Sequence, residues 1–148
     1  MTTEILLRYL HFLSIIAIAG SLTAEHVLIR KVVSRKEISR IAIIDGIYGI
    51  AAVVLLGAGL TLWLGSYTKP DVYYSQNWIF ITKMGLVAAM GILSIYPTIF
   101  FLRQRKGNAE ELVTVPSAVL MCLRMELLLL VIIPLLAGLM SRGVGLIR

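Results

Sequence analysis

The chain has 148 residues, of which 59% are hydrophobic and 15% charged, with a mean hydropathy of +0.92 and a formal net charge of +6. Soluble domains average about 45–50% apolar and about 25% charged residues, so both figures point away from water. The single cysteine, Cys122, excludes a disulfide scaffold, the apolar content excludes disorder, and cytoplasmic membrane loops account for the basic excess better than nucleic acid does.

A bilayer-spanning helix needs roughly 20 mostly apolar residues. Four stretches meet that length, at 5–29, 41–65, 78–102 and 116–140, and together they leave no room for a soluble domain. The expected fold is all-α: one integral-membrane four-helix bundle. The first span is too long for a signal-peptide core and is expected to be retained. The first break carries Arg30, Lys31, Arg35, Lys36 and Arg40, and the third carries Arg103, Arg105 and Lys106. The second break has only Lys69, beside the turn residues Pro70 and Asp71, while Pro116 suits the first turn of the last helix. The basic bias therefore puts the first and third breaks in the cytoplasm and both termini outside. Tyr67, Tyr73, Tyr74 and Trp78 would form an aromatic belt at the outer interface. The setting implied is the inner (cell) membrane of a bacterium, with several passes.

Ionisable groups inside a span are costly and mark candidate function. This chain has His11, Glu25, His26, Asp45, Lys83, Arg124 and Glu126 at or near membrane depth. At 1.5 Å rise per residue, His11 and Lys83 both lie about 8–9 Å below the outer edge. Asp45 falls level with Glu25 and His26 near the inner end, and Arg124 and Glu126 near mid-depth. Several structural readings compete with a functional one. Glu25 and His26 can snorkel to the interface, Asp45 can cap or pair with Arg40, and Lys83 can pair with Glu126 as the carboxylate closest to it in depth. Arg124 and Glu126, two residues apart, face different ways. Gly49, Gly57 and Gly65 recur every eight residues and suit close helix approach or space for a flat cofactor, and Pro97 and Pro134 should bend their helices.

His11 and His26 are 15 residues apart, about 22 Å along one helix, so they cannot share one metal. Each could serve a separate haem, either across a two-fold dimer or with a methionine such as Met84, Met90, Met121, Met125 or Met140 as second ligand. The sequence has no nucleophile triad, phosphate loop or zinc-helix motif.

Several segments are familiar: Leu7-Arg8-Tyr9-Leu10-His11-Phe12, Ala24-Glu25-His26, Asp45-Gly46-Ile47-Tyr48-Gly49, Tyr73-Tyr74 followed by Lys83, Ser94-Ile95-Tyr96-Pro97, Arg124-Met125-Glu126-Leu127, and Leu136 through Gly143. Over essentially its whole length the chain resembles small bacterial four-span membrane proteins grouped as domain of unknown function 2214, a name that implies no activity. A more distant similarity is to the HemJ-type protoporphyrinogen oxidases. Leu7-Arg8-Tyr9-Leu10-His11 is similar to the Leu-Lys-x-Leu-His opening of their first span, and Gly59 to Leu64 to the end of their second. Lys83 matches a lysine near the start of their third. Their last span begins Asn-Glu-x-Pro, where this chain has Met125-Glu126-Leu127-Leu128 and so lacks the Asn and Pro. That resemblance implies haem b with His11 as ligand.

The function expected from these readings is a b-type haem or other porphyrin site for electron transfer or redox chemistry on a quinone-like partner. His11 would be the axial ligand, with Met90 beside the group, Lys83 and Arg8 meeting a carboxylate, and Glu126 a proton-coupling or lysine-pairing group. The metal-ligand candidates are His11 and His26. The alternatives are a cofactor-free transport or permeation protein using Lys83, Glu126, Asp45 and Glu25, and an accessory subunit. Lipid is the expected surrounding partner, and a homodimer or larger homo-oligomer suits so small an interior.

Overall fold

The structure, a computed structural model, describes residues 1–65 and 75–145. Among the described residues there are four long helices: α1 (Thr2–Leu28), α2 (Arg35–Leu64), α3 (Trp78–Gln104) and α4 (Ser117–Ser141). All four are long and apolar enough to cross a membrane. α1 packs on α2 and α4, and α3 packs on the same two helices, so the bundle is a closed square. The start of α1, the end of α2, the start of α3 and the end of α4 line one shared cavity, which fixes an up-down-up-down course. Tyr67, Tyr73 and Tyr74 of the expected aromatic belt lie outside the described residues; Trp78 is half exposed at the head of α3.

The interior is mainly apolar, as in a soluble bundle, but so is the outer surface, and a few polar groups are fully buried. Ile16, Ile50, Val53, Ile92 and Val131 are each more than two-thirds exposed, whereas Glu25 and Glu126 are 0% and 1% exposed. Apolar side chains facing outward meet lipid tails at no cost, and the interior is where polar groups find protection from hydrocarbon.

The breaks between helices hold more structure than turn signals suggest. Val32–Ser34 (β1) and Leu112–Thr114 (β2) pair antiparallel, with Val33 opposite Val113. Ser34 then caps α2. Its Oγ accepts from the Glu37 amide at 3.3 Å, and Glu37 Oε2 accepts from the Ser34 amide at 3.4 Å. This reciprocal box satisfies two orphan amides, and it starts α2 six residues before the apolar run at 41. Arg35 crosses to α3, donating to the Gln104 carbonyl at 2.7 Å and to Glu111 Oε2 at 2.9 Å. A guanidinium there meets the carbonyls at the negative end of a helix. Gly107, at φ +123°, passes beneath it, where a Cβ would stand 3.1 Å from Arg35 Cδ. Behind this knot Ile38, Phe101, Val119 and Val33 are essentially inaccessible and seal the sheet end.

The opposite end has its own clasp. Asn77 Oδ1 caps α3 by accepting from the Ile79 and Phe80 amides, while Nδ2 donates to the Val144 carbonyl beyond α4. Gly145, at φ +88°, lies so close to Asn77 and Ile79 that any Cβ would collide with them. Pro116 is the N-cap of α4, one position before the helical turn expected of it.

The Arg35 guanidinium beside Glu111 holds that carboxyl below the usual carboxylate range. A folded-state pKa below the unfolded one contributes stability above the unfolded value, and that contribution disappears as pH falls through the folded value. Acidifying the detergent-purified protein through that window should therefore lower its thermal midpoint, and Glu111→Gln should make that part of the profile flatter. Equal acid slopes in both proteins would contradict the clamp.

Candidate functional site

The interior polar residues divide into two groups. The first borders a cavity of about 480 Å³ at the Asn77 end. His11 enters it from α1, Trp63 from α2 and Lys83 from α3, and the rest of its wall is apolar or small. The space exists because bulk is missing at particular points. Gly59 on α2 faces His11, and a Cβ there would already touch the imidazole at 3.4 Å. On α4 the wall is Leu130, Ile133, Pro134, Ala137 and Gly138, the last two being small. Pro134 lacks an amide hydrogen, so the carbonyl of Leu130, four residues earlier and also in the wall, loses its helical donor.

Three polar groups here are short of partners. His11 Nδ1 is buried and makes no hydrogen bond. The Leu55 carbonyl, one turn before Gly59, interacts with the ring without reaching hydrogen-bond geometry at that nitrogen. A histidine that ligates through one nitrogen commonly orients the other toward a backbone carbonyl in this way. Trp63 Nε1 is likewise buried and unbonded, its ring lying edge-on to Phe80 at 5.0 Å. Lys83 sets its ammonium 5.6 Å from the centre of the Phe80 ring and makes no ion pair among the described residues. It is close enough to His11 for their charges to interact. A cation held only by an aromatic face, beside orphan donors in an apolar cavity, suits a flat apolar body that carries an acidic or acceptor group.

The second group lies deeper toward the sheet. Glu25 of α1, Asp45 and Tyr48 of α2 and Glu126 of α4 are all at most 6% exposed. Tyr48 Oη donates to Glu126 Oε1 at 3.5 Å. On α3, Thr98 reaches Asp45, and Ser94, whose hydroxyl donates to the Gly91 carbonyl at 2.6 Å, lies beside Tyr48. The described residues contain no group of three metal-binding side chains close enough to hold an ion.

Most expected site residues fall into one group or the other. His11, Lys83 and Met90 border the cavity; Glu25, Asp45 and Glu126 form the deeper cluster. Three expectations differ from the geometry. Arg8 is exposed and pairs with Glu4 at 2.8 Å, outside the cavity lining, because the two are one helical turn apart on the surface. His26 is exposed on the outside of α1, which fits the snorkelling reading and not a buried ligand, whereas Glu25, expected to snorkel with it, is fully buried among helices. Lys83 does not pair with Glu126: α3 places the lysine in the cavity layer, and Glu126 turns instead to Tyr48 and Asp45. Arg124, as expected, points away from Glu126 and is exposed. Trp63, Gly59 and Tyr48 were not singled out from the sequence. A seven-residue spacing from Asp45 to Ala52, and again to Gly59, could have placed Gly59 and Tyr48 near the buried face.

The geometry defines a multi-pass helical membrane protein with a partly open, lysine-bearing cavity near one end. The chain belongs to the family described as "Predicted membrane protein (DUF2214)", whose model matches residues 3–145. No curated protein and no solved structure matches it.

The chain has only two histidines, so histidine-selective NMR separates the buried one from the exposed one. Gly59→Leu should displace the imidazole and shift the His11 resonance while leaving that of His26 in place. Gly59→Ala, whose Cβ meets the ring at ordinary contact distance, should shift it much less. Equal shifts for the two variants would contradict the packing of His11 on Gly59.

Proposed function

We propose that the cavity is the binding site of a b-type haem or a closely related porphyrin, and that the protein carries out electron transfer or redox chemistry in the membrane. The observation that carries this reading is the convergence on one largely apolar cavity of about 480 Å³ of His11, whose Nδ1 is turned toward the Leu55 carbonyl so that its other ring nitrogen is left for a ligand, and of Lys83, which makes no ion pair among the described residues. That size falls within the roughly 300–1,000 Å³ usual for small-molecule sites. His11 would be the axial ligand, Lys83 the partner of a propionate, and Met90 in the wall a neighbour or second ligand. When bound, the group would supply a one-electron couple, which the protein cannot supply alone. Gly59 makes space beside the ring, the apolar wall excludes water, and Trp63 offers a further donor. A lipid-soluble quinone is the natural redox partner for a centre at this depth. The asymmetry of basic breaks supports a bacterial cell-membrane location with the cavity toward the outer face.

The separation of Lys83 from the acids argues for this reading over a charged permeation path. Ile18, Met90 and Leu129, each at most 8% exposed, lie between the two layers by chain position.

Detergent-purified protein should show a Soret band that sharpens, with split α and β bands, on dithionite reduction. His11→Ala should purify colourless and stay so when haem is offered. Lys83→Met should retain the spectrum but bind haem about 10–100-fold more weakly, as expected for loss of one charge-assisted contact worth about 1.5–3 kcal/mol. Wild type that remains colourless after haem is offered, or a fully loaded His11→Ala, overturns the assignment.

A further inference from the structure

The cavity does not account for Glu25. Its carboxyl is 0% exposed, no ordinary donor reaches either oxygen, and the side chain within bonding reach is another carboxyl, that of Asp45. The groups facing it are the carboxyls of Asp45 and Glu126. Around these three acids, α2 adds Tyr48, α3 adds only the hydroxyls of Ser94 and Thr98, and α4 adds the Cys122 thiol near Glu126. The basic residues closest along the chain, His26, Arg40 and Arg124, are all exposed and turned outward. Three carboxylates ionised together in a low-dielectric interior with no facing cation are not a state such a bundle can hold, and protons are the counter-charge that fits the space.

The surroundings of the cluster differ on its two sides. Toward the sheet, Ile29, Val33, Ile38, Ile41, Phe101 and Val119 are all at most 8% exposed and form a dry plug. Toward the cavity, the buried face of α1 is Ser14, Ile18, Ser21, Leu22 and Glu25, with His11 one turn before Ser14. His11, Ser14, Ser21 and Glu25 fall on one helical stripe, about 21 Å long at 1.5 Å per residue. Ser21 is the hydroxyl between Glu25 and the cavity floor at Ile18.

We propose that Glu25, Asp45 and Glu126, with Tyr48, form a buried proton-binding site that exchanges with the cavity along the α1 stripe through Ser21 and is closed toward the β1–β2 end. Such a site would hold protons for reactions in the cavity. Its existence does not depend on the porphyrin, because it is tested in ligand-free protein; a colourless preparation would remove only the haem reading.

The test is infrared spectroscopy of the full chain in lipid at pH 7, in H2O and after transfer to D2O. The expected result is a protonated-carboxyl C=O band that shifts in D2O. It should lose about a third or more of its intensity in Glu25→Gln, Asp45→Asn and Glu126→Gln, and none in the exposed control Glu110→Gln. Ser21→Ala should keep the band but slow its D2O shift about tenfold, since a link in the polar stripe is removed. An absent band, or one undiminished in all three variants, overturns the site. Unaltered exchange in Ser21→Ala overturns the route.

Discussion

A backbone amide that enters hydrocarbon has to find its partner inside the chain, because lipid offers none. That requirement makes each spanning segment a helix, and it also removes the force that usually packs helices together, since lipid tails are as apolar as leucine. The bundle therefore depends on features other than an oily interface. Its mainly apolar interior also holds a few buried polar residues, and its two ends are tied. At one end β1 pairs with β2 and Arg35 bridges α2 to α3; at the other Asn77 joins the head of α3 to the segment after α4. The irregular backbone lies outside the apolar runs, where water or headgroups can complete its hydrogen bonds.

The tied ends enclose two different interiors. At the sheet end, Ile38, Phe101 and Val119 fill the space between helices. Toward the Asn77 end the same four helices carry Gly59, Ala137 and Gly138, and Pro134 weakens the helical ladder at Leu130. Volume withheld at those positions is what becomes the cavity. Glycine in a membrane helix usually lets another backbone approach, but Gly59 receives a side chain, the His11 imidazole, instead. The cavity and the position of its histidine thus have a common cause in the composition of α2 and α4.

The spans and their polar content were legible from the sequence, because twenty-residue apolar runs and the charges interrupting them depend on composition alone. The start of α2 was legible too, had Ser34-Arg35-Lys36-Glu37 been read as a capping box. What could not be read was which polar residue meets which. Depth along a helix follows from counting, and it put Lys83 and Glu126 within plausible reach. Rotation about the axis decides contact, and a membrane helix with apolar residues on every side gives little sign of its phase. The surface pair Glu4–Arg8 and the outward turn of His26 depend on that rotation. A three-residue strand such as Val32–Ser34 is too short to show any period at all.

That partition of charge matters for what the protein can do. A Lys83–Glu126 pair would have neutralised both groups and served packing alone. With the lysine in one layer and the carboxyls in another, neither Lys83 nor the buried acids make an ion pair among the described residues. On the proposed reading, a carboxylate-bearing ligand would complete the layer at Lys83, and protons would complete the layer at Glu25, Asp45 and Glu126. Natural packing offers a cheaper arrangement, so the separation is itself an argument for binding. Because α1 lines both layers, with His11 at one and Glu25 at the other, a change of charge at the cavity and a change of protonation at the cluster would act on the same helix. Electron and proton chemistry in one small bundle would be coupled through that shared element.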